Sequence, residues 1–201
     1  MSSFAMVDRS LIPKALLSNA LSTVPYLTRE EVTRLAAACQ GRNRLRDELL
    51  ILTLFQTGVR ISEALSLTPR RINISKEGAA LHIQGKAGKA RPVACPRNLA
   101  HRLKSHAFDK KLELDDRIFQ INRKRAWQII KEAAERAAIG KRVHPHLLRH
   151  SDAIERLRQT GNPRALQVHL GHASPFMTMR YLSTITAEEA LKIQQQVTFD
   201  G

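Results

Sequence analysis

The sequence predicts a mainly α-helical domain carrying one small antiparallel β-sheet, and three features predict it. In the first third, apolar residues recur at helical spacing behind an N-terminal capping pattern. Between Arg71 and Ala94 that spacing breaks into short segments separated by Gly-containing turns. The last third repeats a helix-start signature, Asn or Ser followed by Pro.

Taken in order, residues 1–25 have no regular period and end in LSTVP, so they read as an N-terminal arm, and the domain starts near Tyr26. In LTREEVTRLAAAC, Thr28 and Glu31 have capping-box spacing and Leu27 and Val32 that of a hydrophobic staple. Val32, Leu35, Ala36 and Cys39 then share one apolar helical stripe. RDELLILTLFQTGVRISEALSL is too continuously apolar for a surface helix; it stops at Gly58 and resumes helical spacing at Ile61, Ala64 and Leu65. RINI, AALHIQG and ARPVA are the strands of the small sheet. After Pro96 the chain is helical again: NRKRAWQIIKEAAERAAIG from Asn122 to Gly140, then NPRALQVHLG and SPFMTMRYLS as short helices. There is no internal repeat.

With 201 residues and 43% hydrophobic content, the chain has the makings of one domain with a real core. It carries 33 Lys and Arg against 18 acidic residues, a net charge of +15, which points to nucleic acid as partner. Basic residues are densest from Lys86 to Lys111 and from Arg117 to Arg149, which predicts one basic face. No apolar run reaches membrane-spanning length and no signal-peptide pattern opens the sequence, so no membrane association and a cytosolic or nucleoid residence are expected. Cys39 and Cys95 have no paired spacing and read as reduced structural thiols.

The segment HPHLLRH places three histidines and an arginine within residues 144–150. His146 and Arg149 are three apart, so on a helix they share a face and can reach one anion, while His150 is expected to point elsewhere. Alone, that pair reads as a solvated helix face. Arg60 in TGVRISEALSL is more telling, because a charge directly after a buried helix and a glycine turn needs a partner; Glu63, three residues on, can orient it. The competing reading is a surface ion pair of little value. In IQGKAGKARPV, Lys86 and Lys89 fall at a hairpin tip with Arg91 following, placed for phosphate contact. In LGHASPFMTMRYLS, His172 adjoins a helix stop and Tyr181 lies on the next short helix, where, taken alone, it reads as core filling.

Together TGVRISEAL, GKAGKARPV, HPHLLRHS and LGHASPFMTMRYL, in that order, closely resemble the catalytic domain of the tyrosine recombinase, or phage integrase, family, over Leu27 to Ser183. The resemblance implies the fold of that catalytic domain, double-stranded DNA as substrate, and strand cleavage and rejoining through a 3′-phosphotyrosine, with no metal or ATP. It makes Tyr181 the nucleophile and Arg60 and Arg149 the guanidinium groups that bind the non-bridging phosphate oxygens. It makes His172 a further phosphate donor, His146 a proton-transfer group near the nucleophile, and Lys86 the acid for the leaving 5′ oxygen, with Lys89 as fallback. Lys89 and Arg91 remain expected DNA contacts; His144 and His150 are expected to be structural or DNA-contacting.

Only about 25 residues precede the match, so the chain is similar to compact members without the usual N-terminal DNA-binding domain, among them the fimbrial phase-switch invertases. Weak or accessory-dependent DNA binding is expected, with an accessory DNA-bending protein as partner. Residues 184–201 form a tail in which Thr186 and Glu189 make a second capping box, either docking on a neighbouring subunit of a tetramer or packing on its own domain. A metal site on His169, His172 and His146 lacks carboxylate or cysteine ligands. The other readings are a non-cleaving DNA-binding regulator on the same fold, and a related phosphotyrosine enzyme such as a type IB topoisomerase or telomere resolvase.

Overall fold

The computed structural model describes residues 25–85 and 90–196. Helix α1 (Arg29–Ala37) opens on the expected capping box: the Thr28 hydroxyl accepts from the Glu31 amide at 3.2 Å and the Glu31 carboxylate accepts from the Thr28 amide at 2.8 Å. Leu27 and Val32 are both buried. Cys39 lies beyond the helix C-cap at Ala38 rather than on the helical stripe, but is still buried in the core.

Helix α2 (Arg44–Thr57) buries Leu49, Leu50, Ile51 and Leu54 and ends at Gly58, whose φ of +59° is left-handed. A Cβ there would collide with Asp152 Oδ2 and come within 2.8 Å of Leu170 Cδ2, so Gly58 is required by conformation and by space alike. Its turn sends the chain into α3 (Ile61–Leu65), with Arg60 at the N-cap.

A 3-10 turn (Pro69–Arg71) leads into β1 (Ile72–Ile74), β2 (Ala79–Gln84) and β3 (Ala90–Cys95), an antiparallel sheet in the order β1-β2-β3. Leu81 pairs with Ile72 on one side and Val93 on the other. Leu81 and Ile83 face the core while His82 and Gln84 face out, the strict alternation of a one-sided sheet. Pro92 is tolerated because β3 is an edge.

Helix α4 (Arg97–Asp109) covers the sheet, and α5 (Arg123–Arg136) starts as expected with the Asn122 carboxamide accepting from the Arg125 amide at 2.8 Å. It stops short of Gly140 because Ala138 adopts a left-handed φ of 50° and turns the chain. Its outer face is not uniformly basic: Arg125 pairs with Glu132 at 3.1 Å and Lys131 with Glu135 at 3.7 Å, which breaks up the expected basic face.

Helix α6 (Pro145–Thr160) is capped by the His144 ring, which accepts from the Leu147 amide at 3.1 Å. In α7 (Pro163–Leu170) Asn162 and Pro163 take the expected N-cap and first-turn places. The Ser-Pro pair does not repeat that pattern: Pro175 itself caps the four-residue α8 (Phe176–Met179), and Tyr181 falls between α8 and a 3-10 turn (Leu182–Thr184). The last helix, α9 (Ala187–Gln194), lies against α6 of the same chain through an Arg158–Glu189 ion pair at 2.9 Å and contact of Ile193 with Gly161.

The buried residues form two clusters. The larger runs from α1 through the sheet and α5 to Leu147 and Leu148 of α6. The smaller joins Ala153, Ile154 and Leu157 of α6 to Leu166 and Leu170 of α7 and to Tyr181. Helix α6 therefore passes through both cores, and the candidate site lies where they meet.

Candidate active site

Arg149 is the centre of that junction and is only 2% exposed. Its Nη1 donates to the Gly58 carbonyl, and its Nη2 donates to the Leu170 carbonyl at 2.9 Å. Both acceptors are at C-terminal ends of helices, α2 and α7, where carbonyls lack intrahelical partners and the helix dipole is negative. Burial, and then the nearby Arg60 charge, lower the Arg149 pKa to about 10, which leaves it cationic at neutral pH. Its direct partners are neutral carbonyls and Glu63 acts on it only from a distance, so the guanidinium can still attract an anion.

Arg60 is supplied from the other side. The Glu63 carboxylate accepts the Arg60 amide at 2.7 Å and its Nη1 at 3.1 Å, and Glu63 is itself buried. It also binds Arg91, with Nη1 at 2.9 Å and Nη2 at 3.3 Å. Burial pushes the Glu63 pKa up, but the bonds and charges of Arg91 and Arg60 outweigh it and hold the carboxyl below its ordinary value. Arg60 stays 43% exposed beside His146 and Arg149, which line the same cleft. The Glu63 contact is thus half-buried, an exposed guanidinium held from its inner side by a buried carboxylate.

Arg91 departs from expectation. Instead of reaching outward to DNA it turns in, spends its fork on Glu63, and donates through Nη2 to the Leu170 carbonyl at 3.3 Å. Gly171 makes room for it, since a Cβ there would sit 2.7 Å from Arg91 Nε. Two guanidinium groups therefore converge on the Leu170 carbonyl. Lys86 and Lys89 lie outside the described residues; the strands flanking them pair Gln84 with Ala90.

Tyr181 packs its ring in the smaller core, 2% exposed, and burial raises its pKa, so the phenol holds its proton at neutral pH. Its hydroxyl lies 2.7 Å from His150 Nδ1. Burial first, and then the neighbouring charges of His146 and Arg180, drop the His150 pKa to about 4. A neutral imidazole with its proton on Nε2 leaves Nδ1 free to accept from the phenol. His146 is one step further out, its ring centroid 4.8 Å from that of His150 and on the exposed side. Loss of hydration and the Arg149 charge lower the His146 pKa as well.

His172 is buried, with Nδ1 2.8 Å from the Thr178 hydroxyl and its ring stacked 6.4 Å from that of Tyr181. Burial, followed by the Arg149 and Arg60 charges, brings its pKa to about 4. Arg60, Glu63, His146, Arg149, His172 and Tyr181 thus converge. His150, expected to point away, is the group that meets the tyrosine, and the signal was present: positions four apart on a helix share a face, so His150 follows His146. His144 is structural, as an N-cap whose ring also stacks on Trp127 at 5.6 Å. Among the described residues, no three His, Cys, Asp or Glu side chains are grouped to hold a metal ion, and no helix is long and apolar enough to cross a membrane.

Residues 25–188 match the model of the phage integrase family. The chain belongs to that family. Tyrosine recombinase XerD of Mycobacterium tuberculosis is 35% identical over 164 residues, an alignment covering 76% of this chain and 51% of the relative. The chain thus spans about half the length of that curated relative. The catalytic domain of bacteriophage HP1 integrase superposes with a TM-score of 0.61 at 27% identity, covering 86% of this chain and 96% of that domain. XerH site-specific recombinase in its pre-cleavage complex with difH superposes at a TM-score of 0.72 and 22% identity, covering 87% of this chain and 55% of XerH, a likeness of fold. The fold is that of a phage-integrase-family catalytic domain, mainly α with a small antiparallel sheet, as its motifs implied.

Proposed function

We propose that this protein is a site-specific DNA recombinase that cuts one strand of a duplex with the Tyr181 hydroxyl and rejoins it by reversing the step. The observation that carries this reading is the Tyr181 hydroxyl 2.7 Å from His150 Nδ1, beside the buried Arg149.

Tyr181 Oη attacks a phosphorus atom as its proton passes to His150 Nδ1, forming the 3′-phosphotyrosine and releasing a 5′ oxygen. His146, at the mouth of the same cleft, relays that proton or binds phosphate rather than touching the phenol. Arg60 and Arg149 bind the non-bridging oxygens, whose charge grows in the transition state. His172, neutral and donating through Nε2, adds a hydrogen bond to the same oxygens when Nδ1 accepts from the Thr178 hydroxyl. Glu63 holds Arg60 in place, and Lys86 protonates the leaving oxygen. Rejoining uses the energy kept in the phosphotyrosine bond, so neither metal nor ATP is required.

Double-stranded DNA is the substrate favoured by the +15 charge and by the family. Synapsis would bring four protomers onto two sites, with an accessory DNA-bending protein aiding a compact chain. Residues 184–201 would then serve as a subunit-docking tail by releasing the α9 contact with α6.

Covalent trapping tests the reading. Wild-type protein mixed with nicked suicide duplexes from DNA flanking the gene should give a denaturation-resistant protein–DNA band, and Tyr181→Phe none, a loss of roughly 10⁴-fold or more. Specific binding by wild type without any covalent band would replace the recombinase with a non-cleaving regulator.

A further inference from the structure

Behind Arg149, two buried polar atoms face each other without partners. Asp152 on α6 is fully enclosed, and its Oδ1 accepts from Arg156 Nε at 2.7 Å. Among the described residues its Oδ2 has no hydrogen-bond partner, and neither has Nε2 of the mostly buried His169 on α7; the two stand 3.8 Å apart. The Thr57 backbone at the end of α2 favours a proton on the His169 ring, and a proton on Nδ1 leaves a lone pair on Nε2 facing Asp152. Without a further proton, a carboxylate lone pair and an imidazole lone pair would confront each other in a buried site, a costly arrangement.

The location is informative. Asp152 Oδ2 packs directly on Gly58, and His169 immediately precedes Leu170; the Gly58 and Leu170 carbonyls are the two groups that hold the Arg149 guanidinium. We infer that Asp152 and His169 are positioning residues: one proton held between Asp152 Oδ2 and His169 Nε2 ties α6 to α7 and keeps both carbonyls set for Arg149. A closing movement of roughly 1 Å brings the two atoms into hydrogen-bonding distance. Oδ1, receiving Arg156, acts as the carbonyl oxygen of the neutral acid, and Oδ2 as its hydroxyl.

The surrounding charges fit this arrangement. Arg149, Arg156 and Glu155 face the pair from α6 and Arg91 from β3, while α2 presents the backbones of Gln56 and Thr57. Burial dominates for both partners, raising Asp152 to about 7, against the pull of Arg156, and lowering His169 to about 3. Both shifts favour the neutral acid beside the neutral ring. Because the folded Asp152 pKa is raised, the stability it contributes is complete below its ordinary value near 3.8 and is lost as pH climbs through about 7.

The test compares wild type with Asp152→Asn and Asp152→Ala across about pH 4 to about pH 9. In Asp152→Asn the amide donates to His169 Nε2 at every pH and its oxygen still accepts from Arg156, so it imitates the protonated acid permanently. The first readout is the urea midpoint, which needs no catalytic activity. Wild type should approach Asp152→Asn at about pH 4, fall progressively behind it as pH rises to about 7 and keep that gap above, with Asp152→Ala below Asp152→Asn throughout. The second readout rests on the phosphotyrosine reading: the wild-type to Asp152→Asn ratio of covalent trapping rates should fall about tenfold from about pH 6 to about pH 8.5, at unchanged DNA affinity. A stability gap and rate ratio that do not vary with pH would overturn the shared proton, as would Asp152→Ala behaving like Asp152→Asn. If no variant forms covalent product while the midpoint gap follows pH, the recombinase reading fails and the shared proton stands.

Discussion

The larger core, which runs from Leu27 to Leu148, carries Arg60 and Glu63 on α3 and Arg91 on β3, whereas the smaller one, built from parts of α6 and α7, carries Tyr181 on a short turn. The larger side also includes long helices and the sheet; the smaller side has few apolar residues and elements as short as the four-residue α8. Regions with few buried apolar contacts open at lower free energy than the global unfolding transition. On the proposed mechanism, Arg60 binds phosphate from the half with the larger core and Tyr181 attacks from the half with the smaller one. Arg149 joins them, taking one carbonyl from α2 and one from α7.

Replacing that joint should have the largest effect. Arg149→Met removes the buried charge and leaves the Gly58 and Leu170 carbonyls without its two donors, so single-turnover trapping should drop about 10³-fold or more. A loss under tenfold would mean that the two halves meet productively without it.

Paired truncations sharpen the contrast. Leu54→Ala in the larger core should cost about 3–5 kcal/mol in urea unfolding and lower every activity together. Leu166→Ala in the smaller core should cost about 2–3 kcal/mol and speed amide exchange around Tyr181 while leaving α2 protected. Equal loss of protection in both regions would show a single cooperative unit.

The two histidines distinguish contact from proximity. His150→Ala should slow cleavage by about 10²-fold and His146→Ala by less, because only His150 reaches the hydroxyl. Since folding lowers the pKa values of His150 and His172 to about 4, the stability they contribute is present above their ordinary value near 6.5 and is lost as pH falls from there through about 4. His150→Gln should flatten part of that acid limb in urea titrations.

The smallest effect belongs to the edge of the nucleophile side. Arg158→Ala breaks the partly exposed Arg158–Glu189 pair and should change stability by under about 1 kcal/mol, while loosening α9 enough to alter subunit exchange in crosslinking.

Several features needed nothing beyond the sequence: the capping boxes at Thr28 and Thr186, the stop at Gly58, the change of period at the sheet, and the shared face of His146 and Arg149. Each depends on bonds or side-chain spacing within about one helical turn or one strand, which local residue order specifies. Tertiary structure decided the rest. It turned Arg91 inward to Glu63, 28 residues away, set His150 on Tyr181, 31 residues away, and fastened Arg149 to Gly58 across 91. It also set Asp152 against His169, a pairing that no spacing rule brings together. Such contacts follow from how α6 threads two cores at once, and that path is fixed by collective packing of apolar surface rather than by any segment's own pattern.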